Sequence, residues 1–381
     1  MALIVGIAVF AASYGIALWL LPDWMNIHVP DPAKATPDQN HQIAQERHNA
    51  RLLVIAIGGA VVLVTGLLYT ARNYALAHRG QLTDRLIKAL ERLGSTELDV
   101  RLGGVYTLQH LLRESRAHHD DIVEILNAFI RRQAPPADSA FKSTALQESE
   151  RWIHPPALGH DHEPLPDKPS ADVQAALTVI ATRPDRQERR RIDLSGLHLA
   201  GAALHRARLH GANLSKATLT QADFGKSMLS EANFHEATLT GADFGKSMLS
   251  EANFYKATLT GANFEEAKAV NASFERTTLI DTSFDGATLT HTSFDRATLT
   301  GTHFDWAKLT YTHFNGATLI GTHFDWATLI DTHFNGAELT STYFDRAKLI
   351  SACFDKIKAV DVRFAGMTLN SALPYSHDEQ S

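Results

Sequence analysis

A five-residue repeat of apolar positions governs the chain from Ile192 to Asn370. A large apolar residue, here called the centre, returns at every fifth position from Leu194 to Leu369 for 36 consecutive steps. Only Ala269 and Ala359 replace the usual Leu or Phe, and a small residue, usually Ala, Ser or Thr, stands two positions before most centres. The period fits neither a helix turn nor the two-residue alternation of a strand. It predicts a chain that turns a corner every five residues and stacks turn upon turn as a solenoid.

A longer period of twenty residues is superimposed on the first. Phe and Leu alternate at the centres from Phe224 onward, and the block 221–240 recurs almost unchanged at 241–260. We therefore predict one four-sided turn per twenty residues, with Phe filling two opposite walls and Leu the other two, and no room inside for a ligand. The predicted core includes Phe224, Phe244, Phe264, Phe284, Phe304, Phe324, Phe344, Leu219, Leu239 and Leu259.

The words Ala222-Asp223-Phe224 and Ala262-Asn263-Phe264 resemble the A-(D/N)-(L/F)-x-x repeat of the pentapeptide-repeat family. The resemblance covers nearly half of the chain and implies an all-β solenoid, a right-handed quadrilateral β-helix. Residues 192–370 then correspond to about nine coils, a rod roughly 43 Å long at the spacing of paired strands. This segment holds no proline although the chain has 13, which fits hydrogen-bonded ladders at every level.

Two uncharged runs, residues 2–21 and 52–71, precede the repeats. Each is long enough to cross a hydrocarbon layer of ~30 Å, so we predict transmembrane helices at 1–21 and 52–71. A cleaved signal peptide is the alternative for the first run, but it lacks a basic start and a small-residue cleavage site. The segment 22–51, predicted as an extracytoplasmic loop, has fewer Lys and Arg than the segment after the second helix, which predicts a cytoplasmic β-helix.

The region between the membrane runs and the repeats is predicted to be helical and then extended. Residues 72–133 form a cytoplasmic helical segment with helices starting at Thr83, near Glu97 and near Asp120, and 134–169 form a linker with seven prolines. Residues 170–191 supply a helix that covers the first coil, then a junction with three arginines at 189–191, interpreted as a solvated turn or a lipid-headgroup contact. Residues 371–381 form a tail. The words beginning at Arg101 and Ile125 resemble a helical segment of bacterial proteins that carry membrane helices and pentapeptide repeats, which implies a multi-pass protein of the bacterial inner membrane.

Residues twenty apart stack ~4.8 Å from each other on the predicted rod. One wall therefore carries a column of acids beside stacked histidines and tryptophans. Columns of His and Asp suit a divalent metal, but we interpret them as outward positions of a copied repeat and predict no metal site. Exposed aromatic residues anchor protein interfaces. The candidate partner-contact surface comprises His303, Asp305, Trp306, His323, Asp325, Trp326 and Asp345.

The remaining features argue against catalysis. The single cysteine, Cys353, excludes a disulfide framework and a Cys-based zinc site, and we find no nucleophile motif or phosphate loop. We therefore predict no enzymatic activity, no cofactor and no nucleic-acid partner. The sequence favours a non-catalytic, membrane-anchored interaction or scaffold module in contact with the lipid bilayer and with an unknown protein partner. The resemblance also implies a homodimer formed through the C-terminal coil.

Mimicry of DNA is the alternative function that the resemblance implies, with a topoisomerase such as gyrase as the partner. A mimic needs dense negative charge, because duplex DNA carries one charge per ~1.7 Å of its axis. Residues 192–370 carry 19 acidic and 15 basic residues, a net charge of −4. Charge this sparse disfavours mimicry.

Overall fold

The computed structural model describes residues 36–137, 165–186 and 188–370. Within these ranges four helices precede the solenoid: α1 (Pro37–Leu93), α2 (Leu98–Glu114), α3 (His119–Gln133) and α4 (Ala171–Ala181). Eleven short strands follow: β1 (Lys268–Val270), β2 (Thr278–Ile280), β3 (Thr288–Thr290), β4 (Thr298–Thr300), β5 (Lys308–Thr310), β6 (Thr318–Ile320), β7 (Thr328–Ile330), β8 (Glu338–Thr340), β9 (Lys348–Ile350), β10 (Lys358–Val360) and β11 (Thr368–Asn370). The chain divides into two compact units, Met1–Asp84 and Arg85–Ser381.

One segment of the described chain, Ala44–Tyr74 within α1, is long and apolar enough to cross a membrane, with a mean hydropathy of 2.5. Its apolar side chains are exposed, as Leu63 and Leu67 show. The predicted helix at 52–71 lies inside this segment. The predicted helix at 1–21 lies outside the described residues, so a second span stays a prediction.

Helix α1 corrects two boundaries that the sequence suggested. Residues 37–51, predicted as part of a loop, are helical, and Thr83 lies inside α1 instead of starting a new helix. Gly80 and Thr83 look like a break followed by a cap, but a single glycine costs a helix only ~1 kcal/mol. The flanking residues are mostly good helix formers, so the helix continues through both positions.

The end of α1 packs closely on α2 and α3 within the second unit. A Cβ added to Gly104 of α2 would lie 3.0 Å from the carbonyl oxygen of Ala89, so a larger residue would push the two helices apart by a few tenths of an ångström. Arg132 of α3 donates from Nη2 to the carbonyl oxygen of Leu93 at 3.1 Å. The end of α1 and α2 therefore approach closely at Gly104.

Helix α4 and the ends of the proline-rich segment cover the first coil of the solenoid. Gln174 of α4 bonds Ala203 twice, its Nε2 donating to the carbonyl oxygen at 2.9 Å and its Oε1 accepting the amide at 3.0 Å. The amide of His198 donates to Pro135 and its Nε2 bonds the carbonyl oxygen of Pro166. Residues 134–137 and 165–169, predicted as free linker, therefore contact the solenoid, and 138–164 lie outside the described residues.

The solenoid is built from parallel pairing between residues twenty apart. The odd-numbered strands form a six-stranded sheet and the even-numbered strands form a five-stranded sheet. Each sheet lies along one of the two Leu walls. Isolated parallel bridges continue the same register from Asp193↔Asn213 to Tyr343↔Arg363. The β-solenoid and the twenty-residue turn follow directly from this pairing. The count of about nine coils stays a prediction, because regular strands cover only Lys268–Asn370.

Phe side chains fill the interior as two stacked columns. Phe304 stacks on Phe284 at 5.0 Å and on Phe324 at 4.9 Å between ring centroids, and it meets Phe294 of the opposite wall edge to face at 5.5 Å. All ten predicted core side chains have an exposure of 1% or less. Aromatic pairs prefer these offset and edge-to-face geometries.

Each corner of the solenoid has the same backbone conformation. The residue two positions after each centre, here called the corner residue, has φ between 48° and 68° at every corner from Gly196 to Gly366. This left-handed region favours glycine, yet Lys, Glu, Arg and Trp occupy many corners because the stacked coils fix the turn. Corner side chains project outward, so the repeat can vary them.

Candidate protein-interaction surface

Two halves of the solenoid satisfy the same backbone amide in different ways. The amide concerned belongs to the residue directly after each Phe centre. In the N-terminal half, residues 192–270, an Asp or Asn of the same coil accepts it. The amide of Gly245 donates to Asp243 Oδ1 at 2.8 Å, and the amide of Glu265 donates to Asn263 Oδ1 at 2.9 Å.

In the C-terminal half, residues 271–370, the amides of Glu275, Asp285 and Asp295 still donate to a serine of the same coil. From Asp305 onward the acceptors are Asp and Asn of the preceding coil. The amide of Asp305 donates to Asp285 Oδ1, that of Asp325 to Asp305 Oδ1 and that of Asp345 to Asp325 Oδ1, each at 3.0 Å. Ala365 continues the series by donating to Asp345 at 3.0 Å. The acid column predicted from the sequence is therefore a ladder of hydrogen bonds from backbone amides to Asp carboxylates of the preceding coil.

From Phe304 onward this change releases the position directly before each Phe centre for other side chains. His303 and His323 stack at 4.8 Å between ring centroids, and Tyr343 extends the stack at 4.6 Å from His323. Asp243 and Asn263 occupy the same position in the N-terminal half, where they are needed as amide acceptors. The aromatic stack can form because Asp285, Asp305 and Asp325 have taken over that role.

A second stack lies at the corner of the same wall. The indole rings of Trp306 and Trp326 are 4.8 Å apart and nearly parallel, and the guanidinium carbon of Arg346 lies 4.7 Å from the Trp326 ring centroid. Trp306 is 61% exposed and Trp326 is 43% exposed, so both rings are accessible. We call this surface the aromatic wall; it comprises His303, His323, Tyr343, Trp306, Trp326, Arg346 and the acid column between them.

The acids of the aromatic wall sit in a partly buried, crowded setting. Burial raises the pKa of the Asp305 carboxyl, and the negative charges of Asp285 and Asp325 add to the rise, while the Asp325 amide and His303 oppose it. His303 Nδ1 lies 3.8 Å from Asp305 Oδ2, and His323 Nδ1 lies 3.7 Å from Asp325 Oδ2. The column therefore contributes structure and local negative charge together.

The structure brings all seven predicted contact residues onto one wall and adds two. Tyr343 and Arg346 complete the two stacks, and sequence reasoning missed them as partners although each lies twenty residues after His323 or Trp326. Register alone could have found both. The acids, predicted as free contact groups, are in part committed to backbone amides, and Asp345 also pairs with Arg363 at 2.8 Å.

The opposite Phe wall carries a less regular set of side chains. His313 and His333 lie 5.2 Å apart and are tilted by 51°, so they do not stack. Asn335 Oδ1 accepts a hydrogen bond from the Cys353 thiol at 3.0 Å, and burial raises the pKa of that thiol. Across residues 36–137, 165–186 and 188–370, no group of three or more His, Cys, Asp or Glu is arranged to bind a metal ion.

A shallow cleft of about 390 Å³ lies between α3 and the arginine junction. The three junction arginines are each paired with a carboxylate: Arg189 with Asp120 at 3.3 Å, Arg190 with Glu124, and Arg191 with Glu231 at 2.8 Å. Because all three arginine side chains are more than two thirds exposed, these pairs are weak and do not decide between a solvated turn and a lipid-headgroup contact.

Comparison with known proteins identifies the repeat. The family description "Pentapeptide repeat region" matches residues 228–304, and "Pentapeptide repeats (8 copies)" matches residues 190–225, 289–325 and 322–358. No curated protein matches the chain in sequence.

Solved structures with similarity to the chain share its repeat. HetL, a pentapeptide repeat protein involved in heterocyst differentiation regulation from Nostoc sp. strain PCC 7120, is 26% identical, with 46% of this chain and 86% of HetL covered and a TM-score of 0.33. QnrB1, a plasmid-mediated fluoroquinolone resistance protein, is 21% identical, with 46% and 90% covered and a TM-score of 0.38. The repeats at residues 190–225 and 228–358 therefore belong to the pentapeptide-repeat family.

Proposed function

We propose that this protein is a non-catalytic scaffold, held at a bacterial inner membrane, that presents the aromatic wall of a rod of about nine coils to a cytoplasmic protein partner. The observation that carries the proposal is the stacked, exposed pair Trp306 and Trp326 on a rigid wall. Tryptophan and arginine are enriched among the residues that dominate binding energy at protein interfaces. A scaffold role also suits an interior filled by Phe and Leu, which provides no substrate pocket.

Rigidity of the aromatic wall supports binding to a preformed surface. The stacks hold each ring against at least one neighbour from an adjacent coil, so little side-chain freedom is lost when a partner arrives. Ordering a rotamer-rich side chain at an interface costs ~0.5–1.5 kcal/mol, which a preorganised stack avoids in part. The wall therefore offers its partner a fixed pattern of aromatic edges and negative charge.

Photocrosslinking in cells tests the partner proposal. A photoreactive phenylalanine replaces Trp306 or Trp326 in the full chain, and Lys226 or Lys246 in matched controls that occupy the same corner in the N-terminal half. We expect one defined protein adduct at positions 306 and 326 and none at 226 and 246. Equal adducts at all four positions, or none at 306 and 326, would rule the proposed surface out.

Membrane attachment rests on Ala44–Tyr74 and on the predicted span at 1–21. The excess of Lys and Arg after the span supports a cytoplasmic solenoid. A reporter that is active only in the cytoplasm, fused after Ser381, should give signal in membrane fractions. Signal from a periplasm-active reporter alone, or a soluble full-length protein, would overturn this part of the proposal.

A homodimer through the C-terminal coil is a further part of the proposal. Val360, Phe364 and Leu369 are 58%, 38% and 47% exposed among the described residues, which leaves apolar surface at this end. Phe364→Glu should convert a dimer to a monomer in sedimentation of the detergent-solubilised protein, whereas Phe364→Leu should leave it dimeric. If the unmodified protein is monomeric, the homodimer proposal is wrong, and the proposal for the aromatic wall is unaffected.

Gyrase binding by DNA mimicry is the weaker alternative. In the Asp column one oxygen of each carboxylate accepts a hydrogen bond from a backbone amide, and the last carboxylate, that of Asp345, pairs with Arg363. Such a column presents less negative charge than the phosphates of DNA. Supercoiling by gyrase should proceed unchanged at micromolar protein, and clear inhibition would restore this alternative.

A further inference from the structure

The corner column of the aromatic wall contains a gap directly beside Trp306. This column reads Glu266, Gly286, Trp306, Trp326 and Arg346 along successive coils. Gly286 has no side chain, and apart from its two chain neighbours the one atom within 4 Å of a Cβ built there is Glu266 Cγ, at 3.5 Å. Position 286 therefore contributes no side chain to cover this ring face of Trp306, whereas the rings of Trp306 and Trp326 cover each other. We call the gap between Glu266 and Trp306 the notch.

The notch has the size of one planar group. Glu266 and Trp306 lie two coils apart, roughly 9.6 Å at the spacing of paired strands. One stacked group placed midway would contact the Trp306 ring at the distance that separates the rings of the existing stack. The greater exposure of Trp306, 61% against 43% for Trp326, is consistent with one open face.

The opposite end of the same stack indicates which group fits. Arg346 lies over Trp326 with its guanidinium carbon 4.7 Å from the ring centroid. Two carboxylates belong to the coils around the notch: that of Glu266, whose Cγ lies 3.5 Å from the Cβ position of Gly286, and that of Asp285, which precedes Gly286 and accepts the amide of Asp305. A guanidinium can stack on an indole face and donate to carboxylates in the same plane.

Two nearby lysines bear on the charge of the notch. Lys246 pairs with Glu266 at 3.2 Å, but both side chains are more than half exposed, so this pair is weak and readily exchanged. Lys308 follows Trp306 by two residues on the adjacent wall. Negative charge alone therefore does not define the site, and the open indole face is its main feature.

We propose that the notch receives an arginine side chain of the protein partner, which stacks on Trp306 and donates to Glu266 and Asp285. This inference rests on the proposed function for its biological setting. Its chemistry can be tested without the partner. The occupant extends the existing column, so that the partner's guanidinium and Arg346 enclose the tryptophan pair from both ends.

Fluorine NMR of the full chain in detergent micelles tests the notch directly. The five tryptophans are replaced by 5-fluorotryptophan, and Trp306→Phe and Trp326→Phe assign the two relevant signals. The probe is Nα-acetylarginine amide, with the citrulline and lysine derivatives as uncharged and ammonium-bearing controls. We expect arginine to shift the Trp306 signal most, with an affinity about fivefold above that for citrulline.

A pair of glycine substitutions provides the structural control. Gly286→Arg fills the notch from within the chain, and arginine is tolerated at corners with the same φ, as Arg296 and Arg346 show. Gly316→Arg makes the same change at a corner of the opposite wall, with φ +62°, where no tryptophan lies in the next coil. Gly286→Arg should abolish the shift of the Trp306 signal and Gly316→Arg should preserve it.

The outcomes separate this inference from the proposed function. An unmoved Trp306 signal, an equal response to citrulline, or an undiminished response in Gly286→Arg would overturn the notch even if a partner is crosslinked at position 306. Arginine binding at the notch without any crosslinked partner would sustain the site and refute the proposed function. Crosslinking that is lost in Gly286→Arg and kept in Gly316→Arg would support both.

Discussion

The two halves of the solenoid share one core and differ in their outer surface. Both stack Phe at the same spacing, with Phe244 and Phe264 4.7 Å apart and Phe304 and Phe324 4.9 Å apart. The N-terminal half fixes its outward amides with Asp and Asn of the same coil, whereas the C-terminal half, from Asp305 onward, uses Asp or Asn of the preceding coil. Moving one acceptor therefore releases an outward column for aromatic side chains.

The halves also differ just inside the wall. In the C-terminal half the residue two positions before each Phe centre is mostly Thr. Its buried hydroxyl donates to a carbonyl oxygen of the preceding coil, as Thr302 does to Leu279 at 3.0 Å. In the N-terminal half this position is mostly Ala, and its amide closes a turn with the previous centre, as Ala242 does with Leu239 at 3.1 Å. The Thr hydroxyl thus accompanies the change from turns to regular strands along the Leu walls.

Removing a core ring should have the largest effect and should not distinguish the halves. Phe304→Ala and Phe244→Ala each remove a fully buried ring that touches neighbours in both adjacent coils, so each should lower the free energy of unfolding by ~3–5 kcal/mol. Phe364→Ala, at 38% exposure in the last described coil, should cost clearly less. Denaturant titration followed by circular dichroism measures all three. Equal losses at Phe304 and Phe364 would refute the assignment of the core.

Loss of a buried threonine hydroxyl should have the next largest effect. Thr302→Val leaves the carbonyl of Leu279 without this donor, and the expected loss is ~1–2 kcal/mol. Ser247→Ala is the matched control, because the buried Ser247 Oγ has no hydrogen-bond partner among the described residues, so its removal should be neutral or slightly stabilising. A Thr302→Val protein as stable as its parent would show that the hydroxyl is dispensable.

The acid column should respond differently to loss of its hydrogen bond and loss of its charge. Asp305→Ala removes the acceptor of the Asp325 amide and should cost ~1 kcal/mol. Asp305→Asn keeps an acceptor, as Asn315 does for Asn335, and removes a charge that burial disfavours, so stability near neutral pH should be equal or higher. Denaturant titration of both variants checks this pair.

The pH dependence follows from the raised pKa of Asp305. The folded protein binds this proton more tightly than the unfolded chain, whose Asp has the usual pKa of 3.8. The Asp305 contribution to stability is therefore greatest below pH 3.8 and declines as the pH rises through the folded-state pKa. Asp305→Asn should remove that decline. A parent protein whose advantage over Asp305→Asn grows with pH would contradict the sign.

The smallest effect is expected at the exposed end of the tryptophan stack. Arg346→Gln removes the guanidinium from the Trp326 ring and should cost about 0.5–1 kcal/mol, since the site is open to solvent. Arg296→Gln, at the same kind of corner without a tryptophan in the preceding coil, should change stability less. Indistinguishable thermal midpoints for the two variants would mean that the Arg346 contact has no energetic weight.

Residue patterns predicted the repeat well because packing repeats with it. A centre at every fifth position and the alternation of Phe and Leu correspond to the buried columns seen at Phe224, Phe244 and Leu239. The joint placement of His303, Asp305 and Trp306 on one wall also followed from register. These features depend only on sequence spacing, which the stacked coils translate directly into position.

Features that depend on competing backbone interactions were not predictable in the same way. Asp285 and Asp243 are both outward acids, and only the structure shows that one serves the next coil and the other its own. The course of α1 through Gly80 and Thr83 depends on the balance between helix propensity and a local stop signal. By contrast, the open face of Trp306 depends on Gly286, twenty residues earlier, so register could have revealed it as it could Tyr343 and Arg346.

Site-resolved hydrogen exchange of backbone amides tests most directly whether, from Asp305 onward, the preceding coil fixes the outward amides. Asp325→Ala should speed exchange at the Asp345 amide, which loses its acceptor, and leave Gly245 unchanged. Asp243→Ala should speed exchange at Gly245, two residues away in its own coil. If Asp325→Ala instead speeds exchange at the amide two residues after position 325 while the Asp345 amide stays protected, Asp325 is not the acceptor of the Asp345 amide.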